Sequence, residues 1–147
     1  MHPDIHLEQT HEASEELLTA MHRLMAQLTA QPAPDAAELD DMLSSGATTL
    51  FLARQADGTT IIGMAALTVF RVPSGLKAWI EDVVVDEAQR GKGIGQALTE
   101  ACITHARTRG VSSIHLTSNP RRIAANKLYQ KLGFQRHETN LYQLKLK

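Results

Sequence analysis

The sequence has one cysteine, few aromatic residues and no long hydrophobic run. Cys102 alone can form neither an internal disulfide nor a zinc site made of several cysteines, and we expect a small, inert core residue there. The longest apolar stretches, such as residues 64–67 and 83–85, are too short to span a membrane. No N-terminal segment resembles a signal peptide, so we expect a cytoplasmic protein.

No charge of one sign dominates either. Fifteen basic residues oppose sixteen acidic ones, and the net charge of -1 provides no overall field that would attract nucleic acid or an anionic membrane. The seven histidines include no pair at helical ligand spacing beside a carboxylate, so we expect no metal site. Any anionic ligand must therefore be held by local geometry.

The chain has the size of one domain, residues 1–147, and its hydrophobic content of 43% is ordinary for a globular protein. Hydrophobic spacing and stop signals predict helices over residues 12–29, 35–46, 94–110 and 122–132. Alternating or apolar runs predict strands at residues 5–7, 49–55, 61–72, 76–85, 113–117 and 142–146. The three middle strands are joined by turns and should be antiparallel neighbours.

The residues best suited to bind a ligand lie where the predicted strand at residues 76–85 is followed by the helix at residues 94–110. An apolar run ends there in a loop whose three alternate glycines are Gly91, Gly93 and Gly95. A helix N-terminus leaves N–H groups unpaired, and glycines let a phosphate approach the backbone closely. Arg90 and Lys92 add positive charge, so the loop is suited to an anion.

Two common phosphate-binding patterns do not fit this loop. A P-loop needs Ser or Thr after its Gly-Lys pair, whereas Lys92 is followed by Gly93. A dinucleotide fingerprint would need glycine at Gln96 or at Leu98, depending on its first glycine.

The run instead resembles the signature Gln/Arg-x-x-Gly-x-Gly/Ala of the GNAT acetyltransferase superfamily, matched by Arg90, Gly93 and Gly95. Residues 128–134, Leu-Tyr-Gln-Lys-Leu-Gly-Phe, are similar to the closing motif of that family. Both motifs occur in the family's order, and the resemblance covers about residues 76–135. It implies an α/β (α+β) fold: a mixed, mostly antiparallel sheet of about six to seven strands flanked by about four helices.

The resemblance implies acetyl-CoA as acetyl donor, with no metal. Its pyrophosphate would lie on the loop amides, and its pantetheine arm would bind strand backbone as an added strand. The implied donor-binding residues are Val83, Val84, Val85, Arg90, Gly91, Lys92, Gly93, Ile94, Gly95, Gln96, Asn126 and Tyr129.

The resemblance also assigns catalytic candidates. Tyr129 occupies the family position whose hydroxyl lies near the CoA sulfur, which makes it the candidate general acid. The backbone N–H of Val85 is the candidate oxyanion donor. The base is Glu81, Asp82 or a water chain.

Strand alternation puts Glu81 on one face with Trp79 and Val83, and Asp82 on the other with Ile80 and Val84. Residues 80–85 are similar to the corresponding strand of glucosamine-phosphate N-acetyltransferases, which favours Glu81 as base.

One position departs from the family pattern: Arg122 stands where many members have Asn, seven residues before the Tyr. Arg121 and Arg122 are candidates for binding a CoA phosphate or an anionic substrate, or they are solvated. The acceptor stays open between amino sugar phosphates, polyamines, amino acids, aminoglycosides and protein amines. The alternative function is a non-catalytic acyl-CoA sensor or partner module. A homodimer through residues 142–146 is a further implication of the family resemblance.

Overall fold

The computed structural model describes residues 4–147. One compact unit extends to Thr117, and a second comprises Ser118–Lys147. The first unit contains β1 (Ile5–Thr10), α1 (Glu15–Leu28), α2 (Ala36–Ser44), β2 (Thr48–Gln55), β3 (Ile61–Val72), β4 (Gly75–Val85), α3 (Ile94–Thr108) and β5 (Ile114–His115). The second unit contains α4 (Ile123–Lys131). None of the helices within residues 4–147 is both long and apolar enough to cross a lipid bilayer.

The strands form one sheet in the order β1-β2-β3-β4-β5. The first four strands pair antiparallel, and β5 pairs parallel to β4. The predicted antiparallel arrangement of the three middle strands is therefore confirmed, as is the mixed α/β architecture with four helices. Residues 4–147 contain five strands, fewer than the six to seven expected.

The missing strand is the last one. Residues 141–147 have no regular secondary structure, so the predicted strand at residues 142–146 is wrong. Leu141, Tyr142, Leu144 and Leu146 are all more than three quarters exposed. An alternating pattern defines two faces, but a strand also needs a neighbour that accepts its hydrogen bonds, and the pattern does not supply one.

Side-chain caps fix the starts of the first two helices. Ser14 accepts a hydrogen bond from the Leu17 N–H at 3.1 Å, which moves the start of α1 two to three residues beyond the predicted boundary. Asp35 and Glu38 form a capping box in which each side chain accepts from the other residue's N–H. These bonds satisfy amides that a helix start otherwise leaves unpaired.

The Asp35→Ala variant should lower the free energy of unfolding by about 1 kcal/mol, because it removes the cap of α2. Urea denaturation measures this change. Asp40→Ala is the control, because Asp40 is an exposed acidic residue of the same helix outside the cap. Equal loss in both variants would contradict the assigned role of the capping box.

The core has one layer on each side of the sheet. On one face, Leu50, Leu52, Met64, Ala66 and Val84 pack with the buried residues of α1 and α2. On the other face, Leu98 and Cys102 of α3 are completely buried, and Phe51 meets His105 edge to face at 5.7 Å. The sheet is therefore sandwiched between α1 and α2 on one side and α3 on the other.

An ion-pair cluster anchors the beginning of α1 to the sheet edge. The Arg54 guanidinium donates to both carboxylate oxygens of Glu16, at 2.9 and 2.7 Å, and its Nε donates to Glu8 at 2.6 Å. These bonds lower the pKa of Glu16 and raise the pKa of Arg54. The cluster joins α1 to β1 and β2.

Candidate functional site

The glycine loop leads directly into α3. Gly93 is the N-cap of the helix with φ 81°, and Gly91 has the same φ. Both lie in the left-handed region, where a side chain costs about 1–2 kcal/mol. A Cβ placed on Gly91 would meet no atom within 4 Å, so the space above this part of the loop is open.

The start of α3 differs from the starts of the two earlier helices. The side chains of Ser14 and Asp35 cap α1 and α2, and glutamates lie in their first turns. The N-cap of α3 is a glycine without a capping side chain, and its first turn, which lies wholly within the described residues, contains no acidic group. The positive end of the helix dipole is thus left for a ligand anion.

Gly63 determines how closely α3 sits on the sheet. A Cβ at this residue would lie 3.1 Å from Leu98 Cδ1, 3.2 Å from the Val84 carbonyl oxygen and 3.4 Å from Ile94 Cγ2. The first turns of α3 therefore pack directly against β3 and β4. The absence of a side chain at Gly63 places the helix start beside the end of β4.

The last part of β4 has an open edge. β5 pairs with β4 at Ala78 and Trp79, and the strand pairings among residues 4–147 place no further strand beside that edge. The Asp86 N–H bonds to the Ile62 carbonyl at 2.8 Å, so the preceding residue, Val85, directs its N–H and C=O away from β3. The backbone at this edge is positioned to pair with an extended ligand.

The two cations of the loop bind atoms within their own segment. Arg90 Nε donates to the Val85 carbonyl at 3.1 Å, and Lys92 Nζ donates to Gln89 Oε1 at 2.9 Å. Arg90 therefore ties the loop to the end of β4. Because the Val85 N–H points away from β3, it can donate a hydrogen bond to a ligand oxygen.

A β-bulge in β4 changes which side chains share a face. Glu81 lies opposite Ala66, and Val84 lies opposite Met64, so one extra residue is accommodated between these pairs. Asp82 adopts φ 53° at this point. Val84 consequently shares a face with Glu81, so the predicted grouping of Asp82 with Ile80 and Val84 is wrong, and so is that of Glu81 with Val83. Both Glu81 and Asp82 are exposed.

Glu81 has an altered acidity. The pKa of the Glu81 carboxyl is raised above 4.5. Partial burial, which removes solvent from the carboxylate, is the larger cause, and the nearby negative charge of Asp82 is the second. Trp79 lies two residues away on the same face, and its ring stacks on His115 at 5.4 Å with an interplanar angle of 28°. No local sequence pattern signals this aromatic pair, because it joins two strands that are far apart in sequence.

The second unit contains the other two candidates. Tyr129 is 6% exposed, and its ring meets Phe134 edge to face at 5.9 Å. The Asn126 side-chain nitrogen lies 2.8 Å from the Arg122 carbonyl, 3.0 Å from the Asn119 carbonyl and 3.3 Å from Ser118 Oγ. Because this nitrogen already donates hydrogen bonds to the loop before α4, Asn126 would contact a ligand through its side-chain oxygen.

The start of α4 is basic. Arg122 is its N-cap, without a side-chain cap bond, and Arg121 precedes it. Both side chains are exposed, and the first turn of this fully described helix carries no acidic residue. This arrangement favours the binding of an anion at the start of α4.

The Gly91→Ala variant should raise the KM for acetyl-CoA by about 10-fold, because a methyl group would strain the loop and fill the open space above it. Gly58→Ala is the matched control, since Gly58 has φ 77°, equally open surroundings and a position in the turn between β2 and β3. Both variants should lose similar stability in thermal unfolding. An unchanged KM in Gly91→Ala would contradict the donor-binding role that the family resemblance implies for the loop.

Comparisons with known proteins agree with this geometry. Residues 12–134 match the model of the acetyltransferase (GNAT) family. A glucosamine 6-phosphate N-acetyltransferase of Trypanosoma brucei brucei is 30% identical over 131 residues, which are 84% of this chain and 86% of that protein. A mycothiol acetyltransferase of Streptosporangium roseum is 41% identical over 59 residues, 40% of this chain and 18% of that protein. The chain spans less than a third of the mycothiol acetyltransferases it matches.

Solved structures show the same fold. An acetyltransferase of Trypanosoma brucei superimposes with a TM-score of 0.77 at 30% identity, covering 97% of this chain and 100% of that one. A predicted acetyltransferase of Clostridium acetobutylicum, solved with acetyl-CoA, gives a TM-score of 0.76 at 21% identity and covers 97% of this chain and 96% of that one. The resemblance stated from the two sequence motifs is confirmed, and this chain is a member of the GNAT acetyltransferase family.

Proposed function

We propose that this chain is an N-acetyltransferase that moves the acetyl group of acetyl-CoA directly to a primary amine. The observation that carries the proposal is the uncapped start of α3, with its left-handed glycines, beside the open edge of β4. An anion-binding helix start next to a free strand edge suits a donor that combines a pyrophosphate with an extended amide-containing arm. Family membership supports an acyltransferase enzyme.

The donor would occupy two neighbouring stretches of backbone. The pyrophosphate would accept hydrogen bonds from the amides of residues 91–96, with Arg90 and Lys92 adding positive charge. The pantetheine arm would pair with the backbone of Val83, Val84 and Val85, using groups that do not bind β3 or Arg90. Asn126 and the arginines at the start of α4 are further candidates for contacts to the donor.

The transfer requires three functions from the protein. The amine nitrogen attacks the thioester carbonyl carbon, so a C–N bond forms and the C–S bond breaks. Glu81 accepts a proton from the amine, directly or through water, and its raised pKa makes it a stronger base than an ordinary glutamate. The Val85 N–H stabilises the oxyanion, and the Tyr129 hydroxyl gives its proton to the departing thiolate.

An amino sugar phosphate is the first candidate acceptor. It is the substrate class in the name of the Trypanosoma brucei brucei relative, which this chain matches over 86% of that protein's length. Such an acceptor needs an anion site, and the exposed residues Arg71, Arg121 and Arg122 are candidates for it. Glu81 and the stacked rings of Trp79 and His115 would contact the sugar ring of this acceptor.

A screen of acceptors by thiol release tests the proposal. Glucosamine 6-phosphate and glucosamine form the key pair, because they differ only in the phosphate. Polyamines, amino acids, aminoglycosides and a peptide amine complete the panel. We expect kcat/KM to be about 10-fold or more higher with the phosphate. Equal values for the pair would overturn the amino sugar phosphate, and no thiol release with any amine would overturn the enzyme.

A further inference from the structure

Two side chains of α1 reach the segment that joins β4 to the glycine loop. Gln27 Oε1 accepts a hydrogen bond from the Glu87 N–H at 2.9 Å. Arg23 Nε lies 3.7 Å from Asp86 Oδ2, and the same guanidinium donates to the carbonyl of Ile61, the first residue of β3. Two residues from a distant part of the chain therefore hold the first two residues of the joining segment, Asp86 and Glu87.

The joining segment is short and partly exposed. It consists of Asp86 and one 3-10 turn, Glu87–Gln89, and the side chains of Glu87 and Ala88 are exposed. Within it, Asp86 Oδ1 accepts from the Ala88 N–H at 3.3 Å, so the carboxylate that faces Arg23 also shapes the turn. A contact made from α1 is thus transmitted to the residues immediately before Arg90.

The helix that makes these contacts is well anchored. Leu17, Ala20, Met21 and Leu24 are at most 4% exposed, and Glu16 is bound to Arg54. Arg23 and Gln27 are four residues apart, and hence on one face of the helix. Because the helix is well anchored, its two polar side chains, Arg23 and Gln27, can fix the direction in which the chain leaves β4.

We propose that Gln27 and Arg23 are positioning residues that orient the glycine loop for the pyrophosphate of acetyl-CoA, an inference that rests on the proposed function. Neither side chain needs to touch the donor. Gln27 holds one amide before the loop, and Arg23 holds the carboxylate that shapes the turn. Loss of either contact leaves the fold intact but lets the loop amides sample orientations that do not match the ligand, which weakens binding.

The test is a comparison of Gln27→Met with Gln31→Met, each assayed in the full chain. Methionine keeps the length of glutamine but removes the acceptor oxygen, and Gln31 is an exposed glutamine just beyond the same helix. Isothermal titration gives the Kd for CoA, and steady-state kinetics give kcat and both KM values. Arg23→Met provides a second, independent variant.

We expect Gln27→Met to raise the Kd for CoA and the KM for acetyl-CoA about 3- to 10-fold, the range for one lost hydrogen bond. The kcat at saturating acetyl-CoA and the KM for the acceptor should stay within about twofold. Arg23→Met should act in the same direction, and Gln31→Met should match the wild type.

Three results would overturn the inference while leaving the proposed function standing: equal CoA binding by the wild type and Gln27→Met, equal weakening in Gln27→Met and Gln31→Met, or a lower kcat with an unchanged KM. Failure of the wild type to bind CoA at all would overturn the proposed function and this inference with it.

Discussion

Replacing Tyr129 with phenylalanine is expected to lower kcat about 100-fold, because it removes the proton that the departing thiolate needs. Phenylalanine keeps the ring and its edge-to-face contact with Phe134, so the variant should remain folded. The KM for acetyl-CoA should change little. Steady-state thiol release, with circular dichroism as a check on folding, measures the effect.

The chain contains its own control for this experiment. It has two tyrosines, and the other, Tyr142, is 85% exposed in the irregular C-terminal segment. Tyr142→Phe removes the same hydroxyl elsewhere and should leave kcat unchanged. A Tyr129→Phe enzyme with wild-type kcat would show that the thiolate is protonated by another group.

The Glu81→Gln variant is expected to lower kcat by about 100-fold as well, because glutamine keeps the shape of the side chain but cannot accept the proton. The wild-type rate should fall as the pH drops through the raised pKa of Glu81, since a carboxyl group acts as a base only when ionised. That acid limb should lie above pH 4.5, the ordinary value for a glutamate, and should be lost in Glu81→Gln. The pH profile of kcat measures both effects.

Asp82→Asn is the matched variant for the pH profile. It removes the like charge that contributes to the raised pKa of Glu81, so the acid limb should move to lower pH while the rate on the alkaline plateau is kept. Asparagine tolerates the left-handed backbone that Asp82 adopts, so the bulge should persist. If the limb persists in Glu81→Gln and does not move in Asp82→Asn, the base is another group or a water chain.

Local signals in the sequence predicted much of the fold. Strand β3 has the predicted bounds, because turn residues flank a continuous apolar run. Asp35 was placed at the start of the second helix by its charge, and it is the cap there. The glycine loop could be placed at a helix start because an apolar strand precedes it and a stripe of helical period follows it. Short-range chemistry of this kind depends on neighbours in sequence and can be read without a structure.

Contacts between distant segments could not be predicted in the same way. The bulge at Asp82 reverses the strand alternation, because one extra residue shifts the later side chains to the other face. Gln27 meets Glu87 across 60 residues of sequence, and no local pattern signals that contact. Alternating hydrophobic residues predicted a strand at residues 142–146. Such a pattern describes one segment only and cannot show whether a neighbouring strand is there to pair with it. These features depend on which elements pack together.

We propose that the uncapped start of α3 serves an enzyme that transfers acetyl groups, and not a module that only binds acyl-CoA. The protein's own thiol should contribute little background to a thiol assay, because Cys102 is completely buried and burial raises its pKa to about 12.

To test this, the protein is incubated with acetyl-CoA and the acceptor panel, and free thiol and N-acetylated amine are quantified in the same samples. We expect equal amounts of the two products over many turnovers. Tight CoA binding without either product for any amine would contradict the proposed acetyl transfer.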